Sequence, residues 1–280
     1  MSRRYAVVDV FTATPLMGNP LAVVVDGEGL DEAAMQRLAR WTNLSETSFL
    51  LPPTPEGRAA GADYRVRIFS PGRELPFAGH PTLGSCFAWL QHGGQPQVSG
   101  TVVQECGIGL VTVRQGERLA FNAPPLRRTC PVEGEERQQA IDSLGLRDDE
   151  LLDLQWIDNG PGWMGARLAS AERVLSLRPD FARMRGLKLG VVGPQPVGSD
   201  CAFEVRAFVP TLGVPEDPVT GSLQAGLARW LIGAGLAPER YVAAQGQALG
   251  RAGRVHVERE GDAVWIGGDV LALVRGEIAL

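Results

Sequence analysis

The chain begins with a short apolar, β-branched run at residues 5–11, and a second follows at 21–25. Between them, residues 15–20 carry the turn chemistry of Gly18-Asn19-Pro20, so two strands joined by a turn are predicted. Over 31–42 the period changes. Ala34, Met35, Leu38 and Ala39 fall at helical spacing, and Asp31 stands where an N-cap belongs. Residues 46–51 read as strand, and 64–69 alternate apolar with basic positions. Residues 81–91 form an apolar helix closed by His92-Gly93-Gly94, and 102–104 with 109–114 read as a closing pair of strands. Pro124 and Pro125 mark a boundary, after which 133–146 reads as a polar, acidic surface helix.

The pattern then repeats. Arg65-Val-Arg-Ile-Phe-Ser-Pro71 is echoed by Glu204-Val-Arg-Ala-Phe-Val-Pro210, and Pro76-Phe-Ala-Gly79-His80 by Pro218-Val-Thr-Gly221-Ser222. Each turn leads into an apolar helix with a glycine four residues on (Gly84, Gly226) and a tryptophan near its end (Trp89, Trp230). Two copies are too few for a solenoid. They fit two related domains facing a shared cleft, divided at 1–117 and 118–280, with the last strand free to pair back with the first domain.

Composition narrows the chemistry. The chain has 280 residues, a net charge of −5 and no basic block, which argues against nucleic acid and anionic membrane as partners. Lys188 is its one lysine and lies in Gly-Leu-Lys-Leu-Gly, so there is no P-loop. His80, His92 and His256 form no i, i+4 pair, and Cys86, Cys106, Cys130 and Cys201 form no C-x-x-C, so neither a zinc helix nor a redox or ribbon motif is present. The scattered thiols and the lack of a long apolar run read as a soluble cytoplasmic protein.

The matched turns are where chemistry is expected. Pro81 suits a first helical position and Ser222 an N-cap, with Gly79 and Gly221 just ahead. Helix starts offer N–H groups and partial positive charge to a carboxylate. Glu216 and Asp217 precede Pro218 and could hold an amine or hydroxyl, or simply make a solvated turn. Glu46, flanked by Ser45 and Thr47 at a strand start, could transfer protons or sit on the surface. His80 could equally be a core histidine, and Ser222 a plain helix cap.

Taken together, the residues resemble the phenazine-biosynthesis isomerase-like (PhzF-like) family. The resemblance runs through Asp9-Val-Phe-Thr12, Gly18-Asn-Pro-Leu-Ala-Val23, Asn43-Leu-Ser-Glu-Thr47, Phe69-Ser-Pro71 and Glu74-Leu-Pro-Phe-Ala-Gly-His-Pro-Thr82. It continues in Glu216-Asp-Pro-Val-Thr-Gly-Ser222 and Gln245-Gly246 with Arg251; about 127–199 matches only loosely, apart from Gly162-Trp163. It implies an α+β architecture of two similar diaminopimelate epimerase-like domains, each a β-barrel-like sheet wrapped around a central helix. It also implies a cofactor-free, metal-free homodimer acting on a small unsaturated carboxylic acid. Glu46, His80 and Asp217 match the family's catalytic residues, and Gly79, Gly221 and Ser222 would bind substrate. Related two-cysteine racemases place cysteines at the turns held here by His80 and Ser222. Two competing readings remain: a serine hydrolase using Ser222, His80 and Asp217, and a catalytically silent small-molecule binding protein.

Overall fold

The computed structural model describes residues 2–210 and 214–280. The chain divides into two compact units. The first runs to Asn122 and takes back Gly267–Leu280; the second is Ala123–Ile266.

In the first unit, β1 (Ser2–Val10) and β2 (Asn19–Val24) pair antiparallel, with Val8 opposite Leu21. The first strand ends at Val10, because Phe11 turns into the left-handed region with φ 65. The connecting turn is tight: a Cβ at Gly18 would lie 2.2 Å from the Val10 carbonyl oxygen, so only glycine fits. Buried Asp9 accepts from the Gly18 N–H at 3.2 Å and fixes the turn. Helix α1 (Glu32–Thr42) starts as its spacing predicts, with Asp31 Oδ1 accepting from the Ala34 N–H at 2.7 Å. It buries Met35, Leu38 and Ala39 beside Phe49 and Phe69, and ends at left-handed Asn43. Next come β3 (Glu46–Leu51), a short α2 (Pro55–Ala59), β4 (Tyr64–Phe69) and the two-residue β5 (Glu74–Leu75).

Helix α3 (Gly79–Gln91) follows, then β6 (Thr101–Cys106), β7 (Gly109–Gln115) and β8 (Leu119–Asn122). The final strand, Val270–Ala279, returns to pair antiparallel with β1. Helix α3 packs against β1, β2, β3, β6, β8 and the final strand, so the curved sheet wraps it without closing. A helix apolar on every face needs such a wrapping. Gly84 makes it possible, since a Cβ there would lie 2.6 Å from Leu21 Cδ2.

The second unit holds α4 (Gly134–Leu144), β9 (Asp153–Trp156), β10 (Trp163–Arg167), α5 (Ala171–Ser176), α6 (Phe181–Met184), β11 (Lys188–Pro194) and β12 (Phe203–Phe208). It continues with β13 (Glu216–Asp217), α7 (Gly221–Gly233), β14 (Arg240–Gln245), β15 (Gly253–Glu260) and β16 (Ala263–Gly268). Its ladder repeats the first unit strand for strand. The β1–β2 antiparallel, β2–β3 parallel, β3–β4 antiparallel, β4–β6 parallel and β6–β7 antiparallel pairings recur as β9–β10, β10–β11, β11–β12, β12–β14 and β14–β15. Leu223, Leu227 and Leu231 of α7 pack into a core with Ile157, Trp163, Val192 and Val205.

Three local expectations change. Both central helices start earlier than predicted: α3 begins at Gly79 after extended Ala78, and α7 at Gly221 after extended Thr220. Pro81 is therefore a third helical position, not a first. Ser222 is a second position, not an N-cap. Helix α4 is not a plain surface helix either; Ala140, Ile141 and Leu144 are buried in a cluster with Met164, Leu189 and Phe208.

Candidate active site

In the first unit the geometry converges on three side chains. Asn19 opens β2 and Glu46 opens the parallel β3, where Leu21 stands opposite Glu46. His80 is the second residue of α3. Glu46 Oε2 lies 3.4 Å from His80 Nε2, with the glutamate side chain 12% exposed and the imidazole 3%. The Asn19 amide nitrogen lies 3.3 Å from His80 Nδ1. The Pro20 backbone, whose only polar group is a carbonyl, also hydrogen-bonds the ring, so the single proton of a neutral imidazole goes to that carbonyl.

This contact is not an ion pair. Burial pushes the His80 pKa down to about 3. The positive end of α3 also disfavours an imidazolium. At neutral pH a neutral imidazole thus faces the Glu46 carboxyl group. The 3.4 Å separation exceeds a formed hydrogen bond. Catalytic contacts of this kind commonly tighten once substrate binds.

The second unit builds its own group. Arg206 grips Glu216 with two hydrogen bonds of 2.8 Å, both residues being nearly fully buried. Glu216 therefore anchors the loop; of the acidic pair, Asp217 is the candidate for chemistry. The same clamp occurs in the first unit, where Arg67 holds Glu74 at 2.7 and 2.6 Å. In each case the glutamate lies two residues before the loop proline (Pro76, Pro218). The half-buried Asp217 accepts from the Thr220 hydroxyl through Oδ2.

Ser222 is buried, its Oγ accepting from Trp163 Nε1 at 3.0 Å, and its carbonyl accepts from the Asn159 amide at 2.8 Å. Gly79 and His80 in one unit, and Gly221 and Ser222 in the other, occupy the same first two helical positions. Those positions carry N–H groups with no partner inside the helix.

The serine-hydrolase reading does not survive this geometry. A triad needs both histidine nitrogens, one for serine and one for aspartate. Here Nδ1 faces Asn19 and Nε2 faces Glu46. The four cysteines are unpaired thiols and none stands at either helix start; Cys86, inside α3, is pushed up to about 12 by burial. Among the described residues, no three of His, Cys, Asp and Glu gather closely enough to hold a metal ion. Sequence reasoning gave no role to Asn19, Trp163, Asn159 or Gln245. Asn19, Trp163 and Gln245 do lie within quoted motif stretches, and that was the available signal.

A family profile described as phenazine biosynthesis-like protein matches residues 8–276. The chain belongs to the phenazine biosynthesis-like family. Among curated members, it is 32% identical to the trans-2,3-dihydro-3-hydroxyanthranilate isomerase of Pseudomonas aeruginosa, over 99% of each chain. It is 33% identical, over 96% of each, to a Schizosaccharomyces pombe protein named antisense-enhancing sequence 1. A solved PhzF-family structure from Enterococcus faecalis superposes with a TM-score of 0.81 at 28% identity, covering 100% of each chain. The architecture expected of the family, two similar α+β domains each with a sheet around a central helix, is the one observed.

Proposed function

We propose that the protein is a cofactor-independent isomerase that moves a proton and a double bond on a small unsaturated carboxylic acid. The observation that carries this reading is the Glu46 carboxylate facing a buried, neutral His80. Glu46 takes a proton from an acidic carbon of the substrate, and the electron pair left behind shifts the double bond. Glu46 then returns the proton to a different carbon, so atoms and charge balance and the carboxylate is restored. His80, with Nε2 against the carboxyl group, limits the orientations open to it. The family resemblance assigns Asp217 to a substrate amine or hydroxyl, and Ser222 with the backbone N–H groups of Gly79 and Gly221 to a substrate carboxylate. General acid/base help is worth roughly 10²–10⁴-fold, so orientation and charge stabilisation supply the rest.

The relatives named trans-2,3-dihydro-3-hydroxyanthranilate isomerase make that compound the first substrate to test. Incubated with it in D₂O, the protein is expected to place deuterium on carbon in the product. Glu46→Gln is expected to remove exchange while leaving thermal unfolding unchanged; exchange at the wild-type rate in the variant would take Glu46 out of its role. The same reading has the protein act as a homodimer in the cytoplasm, supported by the family resemblance and the unpaired thiols. Light scattering on the purified chain tests the dimer. No helix among the described residues is long and apolar enough to cross a membrane.

A further inference from the structure

Gln245 ends β14 with its side chain buried. Its amide is spent on the segment that carries Asp217 and Ser222. Oε1 accepts from the Thr220 N–H at 3.1 Å and from Gln224 Nε2 at 3.0 Å. Nε2 donates to the Asp217 carbonyl at 3.1 Å and to Thr220 Oγ1 at 3.0 Å. The amide cannot be turned round. A backbone N–H only donates and a backbone carbonyl only accepts, so one partner at each end fixes which atom is oxygen and which is nitrogen. Thr220 Oγ1 must then accept from Gln245. A hydroxyl has a single proton, and here it points at Asp217 Oδ2, 2.5 Å away. The donors form a directed chain from Gln245 through Thr220 to a carboxylate oxygen. A donor aimed at a carboxylate favours the anion over the acid. Next in the chain, Gly246 has φ +97, and a Cβ there would lie 2.8 Å from the Pro218 carbonyl oxygen. Glycine thus lets the end of β14 approach the Asp217 loop closely enough for Gln245 to reach it.

We propose that Gln245 is a positioning residue: acting through the Thr220 hydroxyl, it holds Asp217 in one orientation and in its anionic form. Its bearing on catalysis rests on the reading of Asp217 as the group that holds the substrate's amine or hydroxyl. Volume alone would satisfy a merely structural glutamine, whereas this role requires a donor at Nε2 and a hydroxyl at position 220.

The test uses the full chain with ¹³C-labelled aspartate side chains, the Asp217 signal being assigned from Asp217→Asn. Thr220→Val is expected to move the Asp217 titration to higher pH, and Thr220→Ser to leave it at the wild-type pH. Gln245→Glu is close in shape but offers an acceptor in place of a donor. Its negative charge also pushes the Asp217 titration up by itself, so the relay is read from Thr220→Ala where Thr220→Val fails to fold. With trans-2,3-dihydro-3-hydroxyanthranilate as assay substrate, kcat/KM is expected to fall about 10- to 100-fold in Thr220→Val, the scale of a lost hydrogen bond to a charge. Its acid limb is expected at higher pH, with near-normal values in Thr220→Ser. Asp217 titrating alike in wild type, Thr220→Val and Thr220→Ala would overturn the relay. The carboxyl titration needs no turnover. A wild type that fails to convert the substrate, with the expected titrations intact, would count against the isomerase reading and support the relay.

Discussion

His80 sits where an imidazole is held neutral by burial and by the start of a helix, with Nε2 3.4 Å from Glu46 Oε2. A residue so placed can orient a carboxylate but takes up no proton across the physiological range, since its pKa is pushed down to about 3. The pH–rate profile of kcat/KM is therefore expected to show no step near the ordinary histidine pKa of about 6.5. His80→Gln, which is neutral at every pH, is expected to retain part of the activity with the same profile shape between pH 5 and 8. A wild-type step near 6.5 that vanishes in the variant would show that His80 itself titrates. Glu46, His80, Asp217 and Ser222 stood out in the sequence because their motifs are distinctive. Their partners did not: Asn19 lies 61 residues from His80, Trp163 59 from Ser222 and Gln245 25 from Thr220. Packing of the helix starts against strand residues brings such distant positions together.

The two central helices carry the duplication most plainly. Gly84 and Gly226 stand at matching positions, yet what a methyl group would meet differs. At Gly84 it meets side-chain carbons of Leu21 and Val8 at 2.6 and 3.0 Å, and at Gly226 the Ile157 backbone carbonyl oxygen at 2.6 Å. Alanine is favoured over glycine within a helix by up to about 1 kcal/mol. Overpacking costs roughly 1–3 kcal/mol and rises where the obstacle cannot move. Gly226→Ala is thus expected to lower the melting temperature by several degrees and Gly84→Ala by clearly less; scanning calorimetry of both variants checks the order. The apolar runs made both helices legible, but their starts were not. Proline suits the first position of a helix, which pointed to Pro81 as the first helical residue. Instead, Arg67–Glu74 and Arg206–Glu216 fix the loops ahead of α3 and α7, and each helix begins at its glycine.

Across the molecule, two buried groups set opposite pH dependences. His80 has its pKa depressed from 6.5, so the unfolded chain binds the extra proton and stability is lost as pH falls from 6.5 toward 3. Glu204, fully buried on β12, is pushed from 4.5 up to about 7, chiefly by burial and against the pull of Arg254 and Arg206. Here the folded chain keeps the proton longer, so the contribution is present below 4.5 and lost as pH rises through 7. Between 4.5 and 6.5 the two slopes oppose each other. Melting temperature is expected to be nearly level there, to fall below pH 4.5 and to decline again toward pH 7. Glu204→Gln is expected to remove the decline near 7, so its advantage over wild type should be larger at pH 8 than at pH 5. Equal differences at both pH values would take Glu204 out of this account.

The sequence by itself determined the α+β class, the duplication and the family, and it singled out the polar residues of the candidate site. All of these rest on local signals: apolar period, turn residues and short motifs repeated at matching places. The tertiary structure decided what surrounds each polar residue. It made Glu216 an anchor rather than a reactive group, because buried Arg206 holds both of its carboxylate oxygens. It made His80 neutral, because burial removes the water that would stabilise its charge. It tied Asp217 to Gln245, because β14 lies parallel to β12 and its last residue reaches the Asp217 loop. Burial and hydrogen-bond direction depend on what surrounds a group in space, and spacing along a chain does not carry that information.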